Sequence, residues 1–148
     1  MPALVVGADT PQGAKIIDAL TQRDGDLRAF VSTSDARGHL LARGIPAANG
    51  DVSDGSHVGG AAYGAFCVIC VSTATHDERE RAFAGTPEAV VAQWADGFKD
   101  AGVARIIWVS CDDVDGSALA DIGAEFVSIV FDKTAPSRVL HLVDADTV

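Results

Sequence analysis

Ala3-Leu4-Val5-Val6-Gly7-Ala8-Asp9-Thr10-Pro11-Gln12-Gly13 carries an apolar run into a tight glycine turn and then into a segment equipped to start a helix. Thr10 is a capping residue, and Pro11 suits the first helical position. This is the layout of a nucleotide-binding strand-turn-helix, in which a helix N-terminus offers free amides to phosphate. The dinucleotide fingerprint wants three glycines, the second so that the diphosphate can approach bare backbone, and that place holds Thr10. Gly7 and Gly13 are explained by geometry alone, because such a turn and the packing of its helix on the sheet both favour a residue without Cβ. Thr10 has two readings. Its hydroxyl caps the helix and leaves the amides of Gln12 and Gly13 facing water, or it donates a hydrogen bond to a bound phosphate.

Outward from this stretch, short apolar runs alternate with helical patterns as repeated βα units, the pattern of a parallel sheet covered on both faces. The runs predict strands over Ala3 to Val6, Leu27 to Ser32, Ile45 to Ala48, Phe66 to Ser72, Arg105 to Ser110 and Glu125 to Phe131, with Arg138 to Val143 as a seventh at the edge. Helices are expected over Pro11 to Gln22, Asp35 to Arg43, Ser53 to Tyr63 and Pro87 to Ala101, the last three ended by Gly44, Gly64 and Gly102. The charge-rich stretch Thr73 to Gly85 reads as a mobile loop with at most a helical turn. No repeat or linker divides the 148 residues, so one domain is expected.

Composition narrows the function. A net charge of −10, from 17 Asp and 4 Glu against 8 Arg and 3 Lys, repels phosphate backbones and anionic membrane surfaces, which argues against nucleic acid and membrane partners. No apolar run is long enough to span a bilayer and no leader pattern opens the chain, so a soluble cytoplasmic protein is expected. Cys67 and Cys70 have C-x-x-C spacing but lie in a strand, where residues three apart face opposite sides; they read as core cysteines. His76, Asp77, Glu78 and Glu80 interleave with Arg79 and Arg81 and read as a solvated loop, so no metal site is expected. Trp94 and Trp108 fall at core or subunit-contact positions.

Several further stretches, in order, resemble the NmrA-like group of atypical short-chain dehydrogenase/reductases. Gly7-Ala8-Asp9-Thr10-Pro11-Gln12-Gly13 is similar to its opening G-A-T-G-x-x-G motif, and Leu27-Arg28-Ala29-Phe30-Val31 to its second strand. Ala42-Arg43-Gly44-Ile45-Pro46 is similar to the turn into its third strand, Asn49-Gly50-Asp51-Val52-Ser53-Asp54 to its G-D-x-x-D signature, and Ala101 to Ser110 to its A-G-V-x-R-x-x-x-x-S stretch. The resemblance implies an α/β doubly wound, Rossmann-like parallel sheet of order 3-2-1-4-5-6, with a crevice at the C-terminal ends of the first and fourth strands. It implies a cofactor site at Gly7, Asp9, Thr10, Pro11, Gln12 and Gly13, with Ser32 and Thr33 at the ribose, Asp51 and Val52 beside the adenine, and Ser72 and Thr73 at the end of the fourth strand. With no acid at Ser32 and with Arg37 as a phosphate partner, the expected cofactor is NADP(H) before NAD(H), with no cofactor as the remaining option.

The chemistry is less legible. Classical relatives use a Tyr-x-x-x-Lys pair; the only tyrosine here is Tyr63, and no such pair exists. Ser110 matches the position of the catalytic serine and is the one catalytic candidate. The connection from Ser110 to Glu125 is short, and only Asp132 to Val148 follow Phe131, so a substrate pocket is expected to be incomplete without a second subunit. Three readings stand: a minimal NAD(P)H-dependent oxidoreductase acting on a small-molecule substrate, a non-catalytic nucleotide sensor or scaffold, and a non-redox cyclase or isomerase reusing the crevice. Apolar edge strands at Glu125 to Phe131 and Arg138 to Val143 predict a homodimer that covers one edge.

Overall fold

The computed structural model describes residues 1–76 and 83–148. Its strands are β1 (Ala3–Val6), β2 (Leu27–Val31), β3 (Ala47–Asn49), β4 (Cys67–Val71), β5 (Arg105–Ser110) and β6 (Glu125–Val130). They form one parallel sheet in the order β3-β2-β1-β4-β5-β6, the expected doubly wound topology. The helices among the described residues are α1 (Pro11–Leu20), α2 (Ser34–Ala42), α3 (Gly55–Ala62), α4 (Pro87–Ala101) and α5 (Ala135–Val143), with short 3₁₀ turns at Ser72–His76 and Ser117–Asp121.

Alternation along each strand builds two apolar layers. Leu4, Val6, Phe30, Val68, Cys70 and Ile106 pack with Val58, Val90, Trp94 and Phe98 of α3 and α4. Ala3, Val5, Val31, Cys67, Ile69 and Val109 pack with Ile16, Ile17, Leu40 and Val139 of α1, α2 and α5. Because both faces are covered, the central strands are apolar throughout rather than alternating with polar residues. Cys67 and Cys70 sit in opposite layers, as the period of two requires, and both are fully buried. Burial pushes the Cys67 thiol up to about 12 and that of Cys70 well above its ordinary value, so neither supplies a thiolate.

Four helices start with the same device. The side chains of Thr10, Thr33, Asp54 and Thr86 each accept a hydrogen bond from the amide three residues on. The expected stop glycines, Gly44, Gly64 and Gly102, all take positive φ.

Two expectations are corrected. The third strand begins at Ala47, not Ile45, because the Ile45 amide closes the end of α2 on Leu40 O and Pro46 has no amide to give a ladder. Arg138 to Val143 is helix, not a seventh strand. Ala135, Val139 and Val143 recur every four residues and are buried in the layer beside α1, Pro136 falls in the first turn, and the Asp132 carboxylate accepts from the amide and hydroxyl of Thr134 just before it. The last turn is held by Arg105, 1% exposed, which donates through Nη1 to the carbonyls of Leu142 and Val143.

Candidate functional site

Strand order reverses between β1 and β4, and the chain leaves their C-terminal ends in opposite directions, opening a crevice there. Gly7 turns the chain at φ +88°, and a Cβ there would stand 2.7 Å from Cβ of Ala74. A Cβ at Gly13 would collide with the Gly7 carbonyl oxygen. Both outer glycines of the motif are therefore required by the turn itself.

Thr10 answers the question left by the sequence. Its Oγ1 donates to Gly7 O at 2.7 Å and accepts from Gly13 N at 3.0 Å, so its single proton is committed inside the turn. Pro11 has no N–H, and the Ala14 amide goes to Thr10 O at 2.9 Å. Among the described residues, that leaves Gln12 N as the one amide of the first helical turn without a partner. The Gln12 side chain accepts from Thr73 Oγ1 at 3.1 Å, tying the start of α1 to the end of β4.

The crevice holds a cavity of about 210 Å³ lined by Asp9, Thr10, Ser32, Val52, Thr73, Ala74 and His76. Five of these are residues singled out in the sequence, brought together from four strand ends. Asp9 crosses from the first turn to the end of β2, where its Oδ2 accepts from Ser32 N at 3.0 Å and Ser32 Oγ at 2.8 Å. A carboxylate thus stands at the β2 terminus although no acid occurs there in sequence. Asp51 folds its own turn, accepting from Ser53 N at 2.8 Å and Ser53 Oγ at 2.6 Å. Val52 is fixed as a wall by Trp94, whose Nε1 donates to Val52 O at 2.6 Å.

Other expected residues stand outside this lining. Thr33 caps α2 through its contact with Ala36 N. Arg37 donates from Nε to Ala47 O at 2.8 Å. Ser72 is fully buried, and its hydroxyl accepts from Cys111 N at 2.8 Å, stapling the ends of β4 and β5. Ser110 donates to Asp112 O at 3.0 Å. Cys111, beside it, has its thiol pushed up by burial.

Ala74 and His76 are the lining residues that sequence reasoning missed. His76 Nε2 lies 2.8 Å from Asp112 Oδ2, an ion pair when the ring is protonated. Position just past a switch-point strand was the available signal, and it was masked by the charge-rich segment that follows. Asp77, Glu78 and Glu80 of the considered metal cluster, and residues 77–82 of the expected loop, lie outside the described residues.

Larger cavities lie elsewhere. One of about 520 Å³ at the opposite end of β2 contains Arg23, Arg28 and Arg43. All three are engaged, with Asp144, Tyr63 O and Asp18 respectively. Another of about 500 Å³ lies where α3 and α4 meet through Gly55, Gly59 and Gly97. Neither stands at strand C-termini, where open parallel sheets place their chemistry.

Residues 7–140 match the family model for NAD(P)H-binding domains. Among solved structures, the chain is similar to the triphenylmethane reductase of Citrobacter sp. complexed with NADP(H), with a TM-score of 0.70 and 16% identity over 86% of this chain and 48% of that one. It is similar to the NADPH-dependent quinone oxidoreductase QOR2 of Escherichia coli complexed with NADPH, with a TM-score of 0.68 and 21% identity over 86% of this chain and 47% of that one. It is also similar to ChuY, an anaerobillin reductase of Escherichia coli O157:H7, with a TM-score of 0.69 and 18% identity over 99% of this chain and 92% of that one. The chain spans about half the length of the first two. No curated protein matches it. At these identities the structural likeness is one of fold.

Proposed function

The chain belongs to the NAD(P)H-binding family as an NmrA-like atypical short-chain dehydrogenase/reductase, and from that membership we propose that it is a minimal NAD(P)H-dependent oxidoreductase using the crevice between β1 and β4. The observation that carries this reading is the Gly7 to Gly13 turn, which keeps the backbone of a dinucleotide site and leaves Gln12 N unpaired beside the crevice mouth among the described residues. In this reading Gln12 N receives the diphosphate at the positive end of α1, Ser32 and Asp9 face a ribose, Val52 and the Asp51 turn flank the adenine, and Thr73 stands toward the nicotinamide. The bound dinucleotide would supply a hydride; the protein's part is to orient it and to keep the acceptor dry.

Two groups bear on the ribose 2′ position. Arg37 favours NADP(H), since no partner of its Nη atoms is found among the described residues, and NADP(H) or NADPH is the nucleotide in the Citrobacter and QOR2 complexes. Asp9 works against a 2′-phosphate by charge, which makes NADP(H) the preferred cofactor with a reduced margin over NAD(H).

A second reading, a non-catalytic nucleotide sensor, is favoured by the thinness of the anion cradle, where Thr10 consumes one amide and Pro11 lacks another. Thermal unfolding with NADPH, NADH or neither tests both readings. Ligand at 100 times its dissociation constant adds about 2.7 kcal/mol of stability, and no shift with either nucleotide excludes both. Given a shift, oxidation of NADPH in the presence of a carbonyl and quinone panel supports the oxidoreductase, and a flat trace supports the sensor.

A further inference from the structure

We infer that His76, oriented by Asp112, is the proton donor for the reductive step at this crevice. The inference rests on the oxidoreductase reading and adds what that reading lacks. A carbonyl that accepts a hydride must also receive a proton at oxygen. The Tyr-x-x-x-Lys pair that does this in classical relatives is absent, and the one tyrosine, Tyr63, lines the separate cavity between α3 and α4.

Among the described residues lining the crevice, His76 has the one side chain whose ring nitrogens can both hold and pass on a proton. Thr10 has given its hydroxyl proton to Gly7 O, Thr73 donates to Gln12 Oε1, and Asp9 accepts from Ser32. Ser110, the serine expected to act, donates to Asp112 O instead. That bond has a use, because it folds the end of β5 so that Asp112 turns its carboxylate toward His76. The carboxylate is itself held by Val114 N at 3.3 Å on Oδ1, while Oδ2 meets His76 Nε2 at 2.8 Å. With Nε2 anchored on Asp112 and no partner of Nδ1 found among the described residues, Nδ1 is the nitrogen offered to substrate. His76 is about half exposed and Asp112 about one quarter exposed, so the ring can be reprotonated from solvent. Among the described residues, the charged groups around it are Asp112 from the β5 end and Asp9 across the crevice.

In the step assigned, the acceptor carbon takes a hydride with its electron pair from reduced nicotinamide dinucleotide, and the carbonyl π bond opens toward oxygen. That oxygen takes the proton from the free ring nitrogen of His76. The products are an alcohol, which in the case of a quinone tautomerises to the hydroquinone by moving the new C–H proton to the second oxygen, the oxidised dinucleotide and a neutral imidazole that regains its proton from water. Asp112 is a positioning residue, fixing the orientation of the ring through Nε2.

The test compares wild type, His76→Gln, Asp112→Asn and the remote control His141→Gln with NADPH and either menadione or benzaldehyde. The expected result is NADPH affinity unchanged within about twofold in all four. Turnover should fall about 100-fold or more in His76→Gln and less in Asp112→Asn, and the decline of rate with rising pH expected of the wild type should be lost in His76→Gln. A readout independent of turnover is the histidine Cε1–H signal that His76→Gln removes, which should shift with saturating NADP⁺ and in Asp112→Asn. If wild type turns over but His76→Gln keeps its rate and pH profile, or that signal ignores NADP⁺, the inference fails and the oxidoreductase reading survives. If wild type binds no dinucleotide or shows no turnover with any acceptor, the oxidoreductase reading itself fails and the inference goes with it.

Discussion

Thr10 sets how tightly an anion can sit at the start of α1, since its hydroxyl consumes the Gly13 amide and its branched side chain stands where bare backbone would meet a diphosphate. Thr10→Gly should therefore tighten NADPH binding about five- to tenfold by calorimetric titration, while the loss of the cap costs only a few tenths of a kcal/mol in the unfolding curve. Asp9→Asn removes the charge beside Ser32, and NADPH affinity should rise relative to NADH by about tenfold. Asp9 and Thr10 could be singled out from the glycine turn, and Ser32, Val52 and Thr73 from the family resemblance; all five line the crevice. The roles of Asp9 at the β2 terminus and of His76 on Asp112 were not legible, because each depends on a contact between chain segments that only the folded sheet brings together.

At the scale of elements, most of the sheet could be read from period and punctuation, and the failures came where tertiary contacts decide. Arg-Val-Leu-His-Leu-Val, residues 138 to 143, satisfies a short strand and a short helix equally, and burial of Val139 and Val143 against the α1 layer selects the helix. Two arginines complete that choice. Arg105 meets Leu142 O, Val143 O and the Glu125 carboxylate, and Arg23 grips the Asp144 carboxylate through Nε and Nη2. Arg105→Met should destabilise the protein by about 2–4 kcal/mol, with hydrogen exchange accelerating first in α5. Hydrogen bonding from Arg23 holds the Asp144 carboxyl below its ordinary value. A group depressed in this way stabilises the fold above its unfolded-state value and loses that contribution as pH falls through its folded-state value. Asp144→Asn should thus cost about 0.5 kcal/mol at neutral pH, kept small by the half-exposed carboxylate, and the difference from wild type should vanish in urea unfolding at strongly acidic pH.

For the whole molecule, the open parallel sheet fixes where chemistry can occur but not which chemistry. The sheet ends at β6, where Val130 is 69% exposed, while the other expected edge is the packed helix α5. We propose that β6 is covered by a second copy; light scattering after size exclusion should give twice the chain mass of 15.2 kDa, and a strict monomer would remove that idea. The start of α1 decides whether a dinucleotide is held, and a crystal grown with NADPH examines it most directly. Diphosphate density against the Gln12 amide, with the adenosine beside Ser32 and Val52, is the predicted result. Density placing the nucleotide away from this crevice, with the Thr10 side chain filling the diphosphate position, would contradict it.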